Sequence, residues 1–326
     1  MSGKKEISGS EAISGKGFLS QGKNRRRDLP AFLFRLVLRI NLYVVTGTIA
    51  ALFIFLLIYG FNAVSGAGTE SFLFNRGADG KINAEWYPTS SNPRFSILPL
   101  LTGTFMTALP AVIIASFFGI GAGIYLSEIA GNKTRKIIKP VIEIYAAIPT
   151  VAIGFIILAV AASFFDGIFN PANRLNAFLS SLGLAIISVP VITSITDDSL
   201  RAVPDELRIA GYSLGAGKWQ VISKIVIPAA LRGISAAVLL GFSRAIGETM
   251  IVLMTSGNAA NLTFNPFMSV RTITATIAAE LGEVSSGTIH FYSLFFLGLV
   301  LFVMTFILNL TARYFILKYT RKEGSG

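Results

Sequence analysis

Arg244 and Glu248 stand four residues apart in Gly241-Phe242-Ser243-Arg244-Ala245-Ile246-Gly247-Glu248-Thr249, inside an apolar stretch long enough to cross a bilayer. On a continuous helix, residues at this spacing share a face, so the two side chains can pair. A charge at the bilayer centre costs at least ~2.5–3.5 kcal/mol, so such residues turn toward a bundle interior or a polar cavity. The planar donor fork of an arginine suits an oxyanion. The expected chemistry is recognition of an anionic solute by Arg244. Glu248 would hold the guanidinium or take over its charge, with Thr249 beside them on the same pathway. The alternative use of these residues is an ion pair that locks helices together. Glu143, near the start of another apolar stretch, is a further pathway candidate, although its shallow depth also allows it to snorkel to the interface.

Other chemistries find little material. The chain has no cysteine and a single histidine, His290, which reads as an interfacial residue. No nucleophile–base set and no metal-ligand cluster is evident. There is no G-x-x-x-x-G-K-[ST] run, so the chain is not expected to cradle ATP. Gly119, Gly121 and Gly123 lie within an apolar segment with no strand before them, which argues against a dinucleotide site. Gly119 and Gly123 read instead as a small-residue helix contact. Neither an enzyme nor a cofactor of its own is expected.

The elements that must position Arg244 are membrane helices. The 326 residues are 53% hydrophobic and 14% charged, against about 25% charged in soluble domains. Apolar segments at 42–61, 97–126, 137–165, 177–195, 229–255 and 289–315 give six spans. The first reads as an uncleaved span, because its apolar core is too long for a signal peptide. Prolines 99, 110, 140, 149 and 190 would bend helices or line a pathway. Alternate loops hold 22 Lys and Arg residues on one side and 5 on the other, with Arg244 the one left between them. The excess marks the cytoplasmic side, which holds both termini. The net charge of +11 is therefore topology, not a nucleic-acid footprint. Residues 1–30 read as a disordered basic tail. Outer loops 62–95 and 256–288 remain, the second with a helical stripe at Ile273, Ile277 and Ala278 that would dip into the membrane or lie on it.

The cytoplasmic loop 197–228 is polar and punctuated. Pro204 suits the first position of a helix, Asp205 and Glu206 favour its first turn, and Leu207, Ala210, Gly211 and Leu214 form one face. Gly215 falls where a left-handed cap would end it. Such a helix between membrane spans reads as a docking surface.

Gly215, followed after nine residues by Ile225-Val226-Ile227-Pro228, resembles the EAA loop of bacterial ABC importer permeases, E-A-A-x3-G-x9-I-x-L-P. The resemblance implies that Ala210, Gly211, Gly215, Ile225 and Pro228 belong to a coupling helix held by an ATPase subunit. Ile209 stands where the family has its first Glu, and Glu206 one turn earlier is the substitute. Residues 137–154 (IIKPVIEIYAAIPTVAIG), 244–254 (RAIGETMIVLM) and 272–283 (TITATIAAELGE) look like the phosphate-importer permeases of the PstC type. That resemblance implies an all-α polytopic permease moving phosphate by alternating access. Its partners would be a second permease of the PstA type, an ATPase pair carrying ATP and Mg, and an extracytoplasmic phosphate-binding protein, in a bacterial inner membrane. The family's Arg and Glu match Arg244 and Glu248. A permease for molybdate or sulfate, or an ATP-independent carrier or channel, is the alternative. The domain plan is a tail (1–30), a first span and outer loop (31–95), the permease (96–320) and a C-terminal tail (321–326).

Overall fold

The computed structural model describes residues 28–68, 72 and 84–323. The tail expected at 1–30 thus lies almost wholly outside the described residues. Six helices are long and apolar enough to cross a membrane. The first, α1 (Asp28–Ala67), is apolar all round between its basic residues, as a helix solvated by lipid must be. By Cα packing the chain divides at residue 54. In the first part, Thr48 donates its hydroxyl to Val44 O at 2.8 Å, satisfying a polar group within its own helix.

The second part, from Phe55 onward, holds the bundle. Its elements are a two-residue antiparallel ladder (β1, Trp86–Tyr87; β2, Arg94–Phe95) followed by helices. These are α2 (Leu98–Ile129), α3 (Asn132–Ala146), α4 (Thr150–Phe169), α5 (Ala177–Arg201), α6 (Asp205–Ser213), α7 (Lys218–Gly247), α8 (Met250–Thr255), α9 (Ile273–Glu280) and α10 (Ile289–Glu323). Helix α10 runs on past the boundary expected at 320.

Helices α2 and α5 form the spine, joined by the expected small-residue contact. A Cβ on Gly119 would lie 2.8 Å from Ile192 Cβ, and one on Gly123 2.7 Å from Thr196 Cβ. The two backbones meet because these positions carry no side chain. Gly241 of α7 repeats the device on the same Ile192, so α7 packs against α5 as well. A central apolar core (Ala111, Ile153, Leu184, Ile192, Ile246, Ile251) fills the space between α2, α4, α5, α7 and α8.

Two spans are interrupted where the sequence expectation ran them on. The third span does not begin at 137. Ala147 and Ile148 turn the chain and Pro149 caps a new helix, so the crossing segment is Thr150–Phe169 and residues 132–146 form the separate α3. Proline removes a donor and disfavours helical geometry in the residue before it, which accounts for the split. The fifth span stops at Gly247 and resumes as the short α8.

The outer-loop stripe at Ile273 and Ile277 is indeed a helix, and it is tucked into the bundle. Thr272 caps α9 by accepting from Ala275 N, and Ile273 N donates to the buried Thr104 hydroxyl of α2 at 3.2 Å. Gly103 leaves room for the Arg271 carbonyl.

Candidate functional site

Gly241 packs on Ile192 and Ser188, close to the midpoint of α5. Arg244, under one turn further along α7, therefore sits near mid-depth of the crossing. Its side chain is exposed on this chain, and among the described residues it has neither an ion-pair nor a hydrogen-bond partner. Ser243 beside it donates to Asn309 Oδ1 of α10 at 3.2 Å.

The expected pairing of Arg244 with Glu248 is not made, because the helix ends between them. Gly247 is the last helical residue, and Glu248 is extended at φ −73°, ψ 132°. The broken ladder is repaired from two sides. Thr274 of α9 donates its hydroxyl to Glu248 O at 3.0 Å, and the Glu248 carboxylate accepts from Met250 N at 3.2 Å at the start of α8. Irregular backbone at membrane depth persists where neighbours resatisfy it or where it lines a cavity, and both hold here. Gly247 and Thr249, on either side of Glu248, line an open depression of about 600 Å³ with Thr274, Ile277 and Ala278 of α9. Arg244, Glu248 and Thr249 are thus gathered at one helix break.

Glu143 is not among them. It lies on α3, before the crossing segment begins, and is exposed. Helix α3 turns its charged face inward. Arg135 grips the fully buried Asp197 of α5 with two bonds, the shorter 2.8 Å, and Lys139 adds a third at 3.0 Å while also bonding Asp198. The Asp197 hydrogen bond raises the Arg135 pKa above its ordinary value. Asp197 escaped the sequence reading, although an Asp pair closing an apolar span opposite a basic turn was a visible signal.

At the other end of the bundle, α6 forms as expected. Pro204 is its N-cap rather than its first residue, and Ser213 its last. Gly215 takes φ +80°, and Gly215 N and Ala216 N bond back to Tyr212 O and Gly211 O at 2.9 and 3.2 Å. This is a Schellman cap, and glycine is required for its backbone angle, since nothing lies near its missing Cβ. Gly211 is buried, and a Cβ there would lie 2.6 Å from Ile225 Cδ1. Ile225 therefore backs α6. Pro228 follows a π-helical turn, Ile222–Val226, in which Ile227 N reaches Ile222 O, an arrangement that accommodates a residue without a donor. Apart from the buried Gly211, the apolar face expected of α6 points away from the bundle. Leu214 is 89% exposed and Ile209 62%, and Leu207, Tyr212 and Ala210 are exposed with them, as is Glu206.

The inner face of α6 is held by Arg208, which the sequence reading passed over. Its Nη2 donates to Glu128 Oε1 at 2.9 Å and to Leu200 O at 2.8 Å, and its Nη1 donates to Val203 O at 2.6 Å. Glu128 sits in the π-helical last turn of α2. Its hydrogen bond raises the Arg208 pKa above the ordinary value and outweighs burial.

At the opposite end, Glu280 of α9 collects Arg271 Nη1 at 2.8 Å, His290 Nε2 at 2.8 Å and Trp86 Nε1 at 3.0 Å. His290, expected as an interfacial residue, is part of a polar knot tying the ladder, α9 and α10.

Six candidate spans, an arginine at mid-depth without a partner among the described residues, a broken helix beside it and a short helix with exposed apolar side chains define a polytopic membrane permease. The chain belongs to the binding-protein-dependent transport system inner membrane component family, whose model matches residues 117–321. It is 36% identical to the probable ABC transporter permease protein YqgH of Bacillus subtilis, over 76% of this chain and 81% of that one. It is 32% identical to the phosphate transport system permease protein PstC of Mesorhizobium japonicum, over 92% of this chain and 97% of that one. The fold is similar to that of a bacterial ABC transporter involved in the import of the acidic polysaccharide alginate. That match has a TM-score of 0.55 at 12% identity and covers 91% of this chain and 98% of that one.

Proposed function

We propose that this chain is one permease half of an ATP-driven phosphate importer. The observation that carries the reading is Arg244, a mid-depth guanidinium exposed on this chain and without a partner among its described residues. Bare hydrocarbon would not tolerate it. Its surroundings in the assembly must therefore be a polar pathway shared with a second permease of the PstA type.

Phosphate carries more than one negative charge near neutral pH. Arg244 replaces part of its hydration shell at the point where water is scarcest. Glu248 rests on the Met250 amide while the arginine is exposed. Released from there, it would neutralise Arg244 after the anion leaves and keep binding weak enough for release. Thr249 adds a hydroxyl at the break. Glu143, exposed on α3, borders the pathway nearer the cytoplasm and favours outward repulsion of an anion over its capture.

Charge bias supports cytoplasmic termini and a cytoplasmic α6, docked on an ATPase pair that holds ATP and Mg. Closure of that pair pushes α6 and tilts the spans. An extracytoplasmic phosphate-binding protein delivers the anion on the other face, in a bacterial inner membrane.

The test is reconstitution of the chain with its second permease, ATPase and binding protein in proteoliposomes. Labelled phosphate should accumulate only with ATP, and excess sulfate or molybdate should not compete. Accumulation without ATP, or displacement by either competitor, would defeat the reading.

A further inference from the structure

We infer that the Arg208–Glu128 pair is the joint through which movement of α6 reaches α2 and α5, which makes both of them positioning residues for transport. The inference rests on the coupling role proposed for α6. Helix α6 is only nine residues long, and it turns its apolar side chains away from the bundle. Two things hold its inner face. One is the close approach of Gly211 to Ile225 and Val221, which ties α6 to the start of α7. The other is Arg208.

The Arg208 fork gathers ends from three elements. It satisfies the Leu200 carbonyl in the last turn of α5, the Val203 carbonyl in the connection, and the Glu128 carboxylate at the end of α2. The arginine side chain is 16% exposed and the glutamate side chain 9%. A shielded charge-assisted donor of this kind resists bending more than a solvated ion pair does. Glu128 is further fixed by Ser127 Oγ at 2.9 Å. Helices α2 and α5 are themselves locked together at Gly119 and Gly123. A push on α6 is therefore delivered to α2 at Glu128 and to α5 at Leu200, and from that spine to α7, which packs on Ile192 through Gly241. Arg208 also meets Asp205, but that contact stays within α6 and transmits nothing.

The decisive experiment uses the complete importer in proteoliposomes and reads phosphate moved per ATP hydrolysed, together with ATPase copurification. Glu128→Gln keeps the Leu200 and Val203 bonds of Arg208, so the loop stays folded. It should retain the ATPase and hydrolyse ATP, but lose about tenfold in phosphate per ATP. Arg208→Gln, which also gives up the Leu200 and Val203 carbonyls, should lose at least as much, and the double variant should be no worse than Arg208→Gln alone. Asp205→Asn should match wild type. A wild-type ratio in Glu128→Gln would overturn the joint, as would losses that multiply in the double variant or an equal loss in Asp205→Asn. A wild-type complex that fails to retain the ATPase, or moves no phosphate, counts instead against the function proposed above.

Discussion

Gly247 and Glu248 interrupt a helix that apolar periodicity alone carries through to Thr255. The sequence reading set Arg244, Glu248 and Thr249 close together, and it put the two charges on one helical face. A four-residue spacing implies a pair only while the ladder continues. The break is repaired by Thr274, 26 residues away in sequence, which donates to the Glu248 carbonyl. No local pattern carries that bond. Glu143 was misplaced for a similar reason: an apolar run looks the same whether or not Pro149 splits it. Arg208 and Glu128 were hidden because each, alone, is an ordinary loop or helix-end charge. At this scale Thr274→Val is informative. It removes the repair of the break and keeps the shape, so it should lower uptake severalfold, at a stability cost of about 1–3 kcal/mol for the unsatisfied carbonyl. Thermal unfolding of the purified complex and an uptake assay check both halves.

At the scale of elements, the glycines were the most legible feature. Gly119 and Gly123 were read as a helix contact from spacing alone, and they are where α2 meets α5. Gly123→Leu should force the pair apart and cost at least about 1–3 kcal/mol, seen as a lower midpoint of detergent unfolding. Gly215 was likewise legible as a cap, since a left-handed residue after a short helix favours glycine. Gly215→Asp places a side chain at φ +80°, a strain of about 1–2 kcal/mol, and alters the α6 surface. ATPase copurification should fall while the membrane bundle unfolds at its usual temperature. Unchanged copurification would count against docking through α6. The inward charge of α3 went unread, because its partner Asp197 lies 58 residues or more away and a basic turn beside a membrane span normally faces lipid headgroups; the Asp pair at the end of α5 was the one signal for it.

For the whole molecule, span number and helical class followed from composition, while span limits depended on prolines and on tertiary repair. Orientation rests on charge bias and is directly measurable, because the chain has no cysteine. A single Leu214→Cys should react with a membrane-impermeant maleimide only after the cytoplasmic side is opened, and labelling of intact cells would reverse the topology. All of this serves one claim, that phosphate crosses by meeting Arg244 at mid-depth. The most direct measurement is ATP-driven uptake of labelled phosphate by the complete importer carrying Arg244→Gln. The account predicts an assembled complex with its ATPase bound and uptake reduced by at least about a hundredfold, the loss expected when a charged donor aimed at a buried anion is removed. Uptake at the wild-type rate in that variant would contradict it.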